Sequence, residues 1–326
     1  MNSNWRNLIL SQQDHFETPS VESLRQLSSK NIFPLLHLGI LKISGPDAAT
    51  FLQGQLTCNV FELNATHAFF AALCNPKGRA IASFFILKKA DDFLMILPLE
   101  LLATIQQRLQ KYKLRAKVDL SDSSDSLTLI GLSESNTSLK PRFSVTQEPI
   151  LRLHIDTRQL LIVNTEQTPA LWQDFIQKGF HATHSDYWRY LDIVSGLPWL
   201  TEKTTEAFIP QMLSLDKLGG ISFNKGCYTG QEIIARTHYL GKTKRALFVA
   251  ESDTPLTPQA NAELIADYCK NTANTDDNEP CTGRVLLAQR VDNHCSLLVV
   301  IPVTDNGEYS LKLANQHKVT VLNSVS

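Results

Sequence analysis

The sequence lacks the spacings that mark a metal centre. Six cysteines, at 58, 74, 227, 269, 281 and 295, form no C-x-x-C pair, so neither a zinc ribbon nor a cysteine-held iron–sulfur cluster is written in it. Nine histidines are scattered without an H-x-x-x-H spacing, which removes the helical two-histidine zinc site. No metal is expected. Charge of one sign is not in excess either: 31 Lys and Arg against 32 Asp and Glu leave a net charge of -1, so no molecule-wide nucleic-acid surface is indicated. Nowhere is there an apolar run of the roughly eighteen residues that a membrane-spanning helix needs. Met1-Asn2-Ser3-Asn4-Trp5-Arg6-Asn7 lacks the apolar stretch of a signal peptide. A cytoplasmic location, away from membranes and with reduced thiols, is expected.

What is present suffices for real cores. In 326 residues, 43% are apolar, and two or three packed units suit that length better than one. Residues 1–31 are polar, with an amphipathic piece at 21–27, and read equally as a lead-in or a packed arm. Strand character at 35–43 ends at Ser44-Gly45-Pro46-Asp47, and Ala48, Phe51, Leu52 and Leu56 give a helical stripe. Residues 69–74 and 80–87 read as a hairpin around Asn75-Pro76-Lys77-Gly78, with cations at its tip. A strand at 93–97 and a helix from Pro98 to Tyr112 follow. The Lys111, Lys113, Arg115 and Lys117 cluster reads as solvated surface.

Further strands are expected at 118–131 and within 150–163, with a polar break at 133–138. Helices are expected at 170–179 and 186–195, the second carrying Trp188 and ending at Gly196. Beyond Gly241, short strands at 246–249, 283–287, 296–303 and 319–322, interrupted by a polar insertion at 267–280, fit a small barrel. Cys269 and Cys281 flank that insertion as free loop thiols. Antiparallel strands with occasional helices give α+β rather than a doubly wound sheet.

The stretch from Leu218 to Arg236 stands apart. Gly219, Gly220, Gly226 and Gly230 make it a turn-rich approach to a helix. Thr229-Gly230-Gln231-Glu232 fits a reciprocal capping box, which accounts for Thr229 and Glu232 without chemistry. Cys227 then sits beside a helix start and close to Lys225, where thiolate is favoured. The same spacing also suits a small buried side chain, and the residues alone do not separate the two.

Lys225-Gly226-Cys227-Tyr228-Thr229-Gly230-Gln231-Glu232 resembles the K-G-C-Y-x-G-Q-E signature of the folate-binding YgfZ family, relatives of the glycine-cleavage aminomethyltransferase (GcvT). Gly45-Pro46-Asp47-Ala48, Phe51 to Thr57, Asn75-Pro76-Lys77-Gly78-Arg79 and Phe208-Ile209-Pro210-Gln211 extend the likeness in the family's order. The resemblance implies a GcvT-like α+β arrangement with a small C-terminal β-barrel. We divide the chain as an arm at 1–31, α+β regions at 32–132 and 133–240, and a barrel at 241–326.

It also implies tetrahydrofolate or a derivative as ligand, and an accessory role in maturing or repairing iron–sulfur enzymes that modify tRNA. The partners implied are folate and iron–sulfur enzymes or assembly factors. By the same resemblance, Trp188 matches a folate-contacting position, although on its residues alone it reads as a core aromatic. Leu38 stands where the family has a second such Trp, and Val194 replaces a carboxylate before the helix-ending glycine. Lys77, Arg79 and Arg236 are candidates to meet an anionic tail, and Cys227 is the candidate functional thiol. Aminomethyltransferases carry paired Asp residues where this chain has Ala82-Ser83, so transferase chemistry is not expected. A one-carbon transferase using a different base, and a redox-active thiol protein, are the rival readings.

Overall fold

The computed structural model describes residues 3–20, 22, 30–134, 140–241, 243–268, 282–304 and 309–325. Most of the piece at 21–27 and of the break at 133–138, nearly all of the insertion at 267–280, and Cys269 and Cys281 lie outside them. Two compact units are interleaved in sequence: residues 1–71 with 84–188, and residues 72–83 with 189–326. The tip of one hairpin therefore belongs to the second unit while its base belongs to the first.

The first unit begins with helix α1 (Ser3–Gln12), whose Trp5 lies edge-on to Trp172 with ring centroids 5.4 Å apart. The N-terminal stretch is thus packed through Trp5, Ile9 and Phe16. These join Ile32, Ile130, Leu161, Trp172 and Phe175 in one core. That core lies on a six-stranded sheet built from β1 (Asn31–Pro34), β7 (Leu127–Ser133), β8 (Val145–Thr146), β9 (Leu151–Ile155), β10 (Arg158–Asn164) and β11 (His181–Ala182), in the order β11-β1-β7-β10-β9-β8. Helix α4 (Thr168–Gln177) supplies Trp172 and Phe175.

A five-stranded sheet joins β2 (Leu38–Ser44), β3 (Phe69–Cys74), β4 (Ala80–Lys89), β5 (Asp92–Pro98) and β6 (Asp119–Asp122), ordered β3-β4-β5-β2-β6. Helix α2 (Ala48–Gln53) follows β2, and α3 (Leu99–Tyr112) buries Leu101, Leu102, Ile105 and Leu109 as its stripe requires. One strand expected at 118–131 is instead two, β6 and β7, in different sheets. The chain turns between them because Asp122 Oδ1 accepts the Ser124 amide at 2.9 Å and Ser123 O accepts the Ser126 amide at 3.1 Å. No described helix is long and apolar enough to cross a membrane.

The second unit ends in a closed barrel of β12 (Arg245–Ser252), β13 (Glu263–Tyr268), β14 (Thr282–Val291), β15 (His294–Pro302), β16 (Ser310–Leu313) and β17 (Lys318–Ser324). Its interior is filled by Val285, Leu297, Val299, Ile301, Leu311 and Val319 among others. Strands β13 and β16, absent from the sequence expectation, complete the closure. Ahead of the barrel, residues 189–194 finish helix α5 (Ser185–Val194), a long stretch of turns follows, and α6 (Gln231–Leu240) comes last.

Candidate functional site

In the second unit the hairpin tip is rigid for local reasons. Asn75 Oδ1 accepts the amides of Lys77 and Arg79 at 2.9 and 3.0 Å, and the Asn75 amide donates to Arg79 O at 2.9 Å. Arg79 Nη1 donates to Ala207 O at 2.5 Å, while the Ala80 amide donates to Phe208 O at 2.8 Å. Residues 205–208 thus lie along β4 as an extra edge. Lys77 stays exposed at the turn.

The tip is pressed onto the start of α6. A Cβ on Gly78 would stand 2.8 Å from Ile233 Cβ, and one on Gly230 would stand 2.5 Å from Asn75 O. Both glycines have positive φ, 69° and 85°. Gly230 is therefore the helix cap, in left-handed conformation and with no side-chain capping bond. The expected Thr229–Glu232 capping box does not form: the cap falls one residue later than Thr229, where the neighbouring carbonyl admits only glycine. Glu232 is exposed, and the Gln231 amide bonds Tyr228 O at 3.1 Å instead.

The motif folds as a turn with buried flanks and an exposed crest. Lys225 and Tyr228 are both buried, with the Lys225 ammonium 4.8 Å from the Tyr228 ring centroid. Gln231 Nε2 donates to Lys225 O at 3.5 Å across the same turn. Between them Gly226 and Cys227 are exposed, and a Cβ on Gly226 would meet nothing within 4 Å. Gln211, quoted above only as part of a motif, holds the helix: its Nε2 donates to Ile234 O at 2.6 Å. The other described cysteines, 58, 74 and 295, are buried, and burial pushes the Cys295 thiol up to about 11.

Arg236 is exposed and, with Ile233, Thr237, Leu240 and Gly241, lines a surface depression of about 440 Å³. Ala82 and Ser83 are fully buried, and Ser83 Oγ donates to Pro198 O at 2.7 Å while accepting the Leu200 amide at 2.9 Å. That hydroxyl is occupied in holding the chain.

The remaining sequence candidates lie in the first unit. Trp188 is 1% exposed. Its ring covers Gly131, where a Cβ would stand 2.4 Å from Trp188 Cε3, and lies 5.6 Å from Phe33. The Arg158 guanidinium, itself buried, sits 4.5 Å from the indole centroid and donates to Trp188 O at 3.5 Å. Leu38 is buried at the edge of an apolar cavity of about 20 Å³, room for a single water and not for a pterin. Among the described residues no three His, Cys, Asp or Glu side chains gather as a metal site.

No family model matches the chain. It is 33% identical to the tRNA-modifying protein YgfZ of Edwardsiella ictaluri over 77% of this chain and 78% of that one. To the protein of that name in Klebsiella pneumoniae it is 31% identical, over 86% and 89%. The Colwellia psychrerythraea protein is 28% identical over 92% and 94%. Among solved structures, the glycine cleavage system aminomethyltransferase T of Bartonella henselae superposes with a TM-score of 0.72 over 93% of this chain and 88% of that one, at 13% identity. That likeness is one of fold.

Proposed function

The chain belongs to the YgfZ family, and from that premise we propose that it is a folate-binding accessory protein that supports tRNA modification by sustaining iron–sulfur enzymes. The observation that carries this reading is the motif turn: two buried side chains, Lys225 and Tyr228, hold up a crest on which the Cys227 sulfur is presented to solvent. An exposed thiol beside a helix start is a nucleophile or a soft ligand for a partner's cluster. The relatives named above are called tRNA-modifying, which supports the pathway.

Tetrahydrofolate or a derivative is the proposed ligand. Lys77, Arg79 and Arg236 are exposed cations suited to its glutamate carboxylates. A one-carbon transferase is the weaker reading because Ala82 and Ser83 provide no carboxylate and Ser83 Oγ is already bonded on both sides.

Calorimetric titration with tetrahydrofolate and its formyl and methylene forms tests the ligand. Saturable heat without turnover is expected, and no heat with any of the three would discard it. A Cys227→Ser chain as sole copy in cells tests the thiol: tRNA methylthiolation should fall, and an unchanged level would remove Cys227 from the function.

A further inference from the structure

The end of α3 and the turn after it gather five cations in ten residues: Arg108, Lys111, Lys113, Arg115 and Lys117. The sequence reads the run as solvated surface, but the structure adds features that a merely solvated surface does not need. Among the described residues none of the five forms an ion pair. Glu100 stands at the far end of α3, and Asp119 begins β6 beyond the run. Because the whole chain has a net charge of -1, everything outside this run carries a surplus of negative charge.

In the middle of the cations stands Leu114, 88% exposed, more than any other large apolar side chain among the described residues. Its backbone is left-handed, φ 47°, a conformation that a branched side chain disfavours. Tyr112 beside it is 44% exposed, with the Arg108 guanidinium 5.6 Å from its ring centroid.

The run is one tight knob and not a loose string. Lys113 O accepts the Ala116 amide at 2.9 Å, which closes a four-residue turn, and Ala116 O accepts the Val118 amide at 2.9 Å. Asp47 Oδ2 accepts the Lys117 amide at 2.7 Å, and the Asp47 amide donates to Lys117 O at 3.4 Å. That carbonyl also explains Gly45, whose φ is 110° and where a Cβ would stand 2.3 Å from it. Gly45 and Asp47, motif residues that the folate and thiol reading leaves unused, therefore fix the knob on the first unit.

The chemistry on the knob selects its occupant. Single-stranded nucleic acid is held in grooves lined by several rings, whereas here there is one ring, and a guanidinium already lies over it. Leu114 at the crest can neither stack on a base nor bond a phosphate. A flat, soft and anionic partner suits both parts at once: aliphatic and tyrosyl tips enter the headgroup region while Lys and Arg meet the lipid phosphates.

We propose that the 108–117 knob docks on an anionic lipid surface, with Leu114 and Tyr112 inserted and Lys111, Lys113, Arg115 and Lys117 on the headgroups. The attachment is peripheral and needs no membrane-crossing helix. It goes beyond the folate and thiol reading and stands independently of it.

Cosedimentation with vesicles of mixed phosphatidylcholine and phosphatidylglycerol tests the proposal, against vesicles of pure phosphatidylcholine. The intact chain should bind the mixed vesicles, release them as salt rises and leave the neutral ones alone. Lys113→Gln with Arg115→Gln should weaken binding roughly 30-fold, about fivefold for each charge. Leu114→Gly, which suits the left-handed backbone, should keep or raise the thermal midpoint while weakening binding roughly 10- to 100-fold. That pairing separates lost insertion from misfolding. No binding to the mixed vesicles, equal binding to both kinds, or unaltered binding in either variant would overturn the proposal. So would binding of an RNA hairpin through these cations without binding of vesicles, which would reassign the knob to nucleic acid.

Discussion

Trp188 in the first unit and Cys227 in the second are both singled out by the same family resemblance, yet the fold treats them in opposite ways. The indole is sealed against Gly131, Phe33 and a buried guanidinium, whereas the sulfur rests on a crest lifted by two buried neighbours. Similar sequence signals therefore mark two kinds of residue, one that the structure depends on and one that it merely displays. The distinction is measurable because the first kind is costly to change and the second is not.

The largest effect is expected at the sealed ring. Trp188→Ala removes a fully buried aromatic and should cost about 3–5 kcal/mol in denaturant unfolding. Gly131→Ala, which drives a methyl into the same ring, should cost about 1–3 kcal/mol. A loss below 1 kcal/mol in either would show that the region repacks freely and would erase the contrast.

Next come the two glycines of the motif, which sharpen the comparison within a few residues. Gly230→Ala meets both a left-handed backbone and the Asn75 carbonyl, and should cost about 1–3 kcal/mol. Gly226→Ala meets open space and should stay within about 0.5 kcal/mol. Equal effects at the two positions would mean that the hairpin tip does not dictate the cap.

A smaller effect is expected with pH. Burial first, then the charges of Lys140 and Arg152, hold the His154 imidazole below its usual value of 6.5. As pH falls through that value the unfolded chain takes up the proton before the folded one, so stability is lost on acidification and levels off below the folded value. His154→Gln, which can keep the contact with Thr146 Oγ1, should flatten the fall in urea midpoint between pH 8 and 5. A profile unchanged by the substitution would assign the acid sensitivity elsewhere. Smallest of all, Cys227→Ser should leave stability within about 0.5 kcal/mol while removing a thiol that labels rapidly in the native state. Slow labelling at Cys227 would place it with the sealed residues.

Local chemistry was the part of the fold legible from the residues. The Asn75-Pro76-Lys77-Gly78 turn and the stripe of α3 are decided within a few residues of themselves, and both form where their spacing puts them. The barrel was legible as a kind but not in full, because β13 and β16 are short and their pairing depends on strands distant in sequence. The cap of α6 was misplaced for the same reason: Thr229 looks like a cap locally, but the carbonyl of Asn75 decides. At the site, the exposure of Cys227 could not be read from spacing, since Lys225 and Tyr228 look alike whether buried or solvated. The stacking of Phe223 on His238, with ring centroids 3.7 Å apart, was also missed; an aromatic ahead of the motif and a ring pair at the helix end were its only trace.

The interleaving of the two units has a consequence for biosynthesis. Ala80 finds its backbone partners in Glu206 and Phe208, and the Ser83 hydroxyl finds its partners in the Pro198 carbonyl and the Leu200 amide. At about 5–20 residues per second, roughly six to twenty-five seconds pass on the ribosome between the emergence of the one edge and the arrival of the other. During that interval a β-edge waits open, so the nascent chain is most exposed to mispairing while residues 84–205 are being made, and the edge is closed before the first barrel strand at Arg245 is translated.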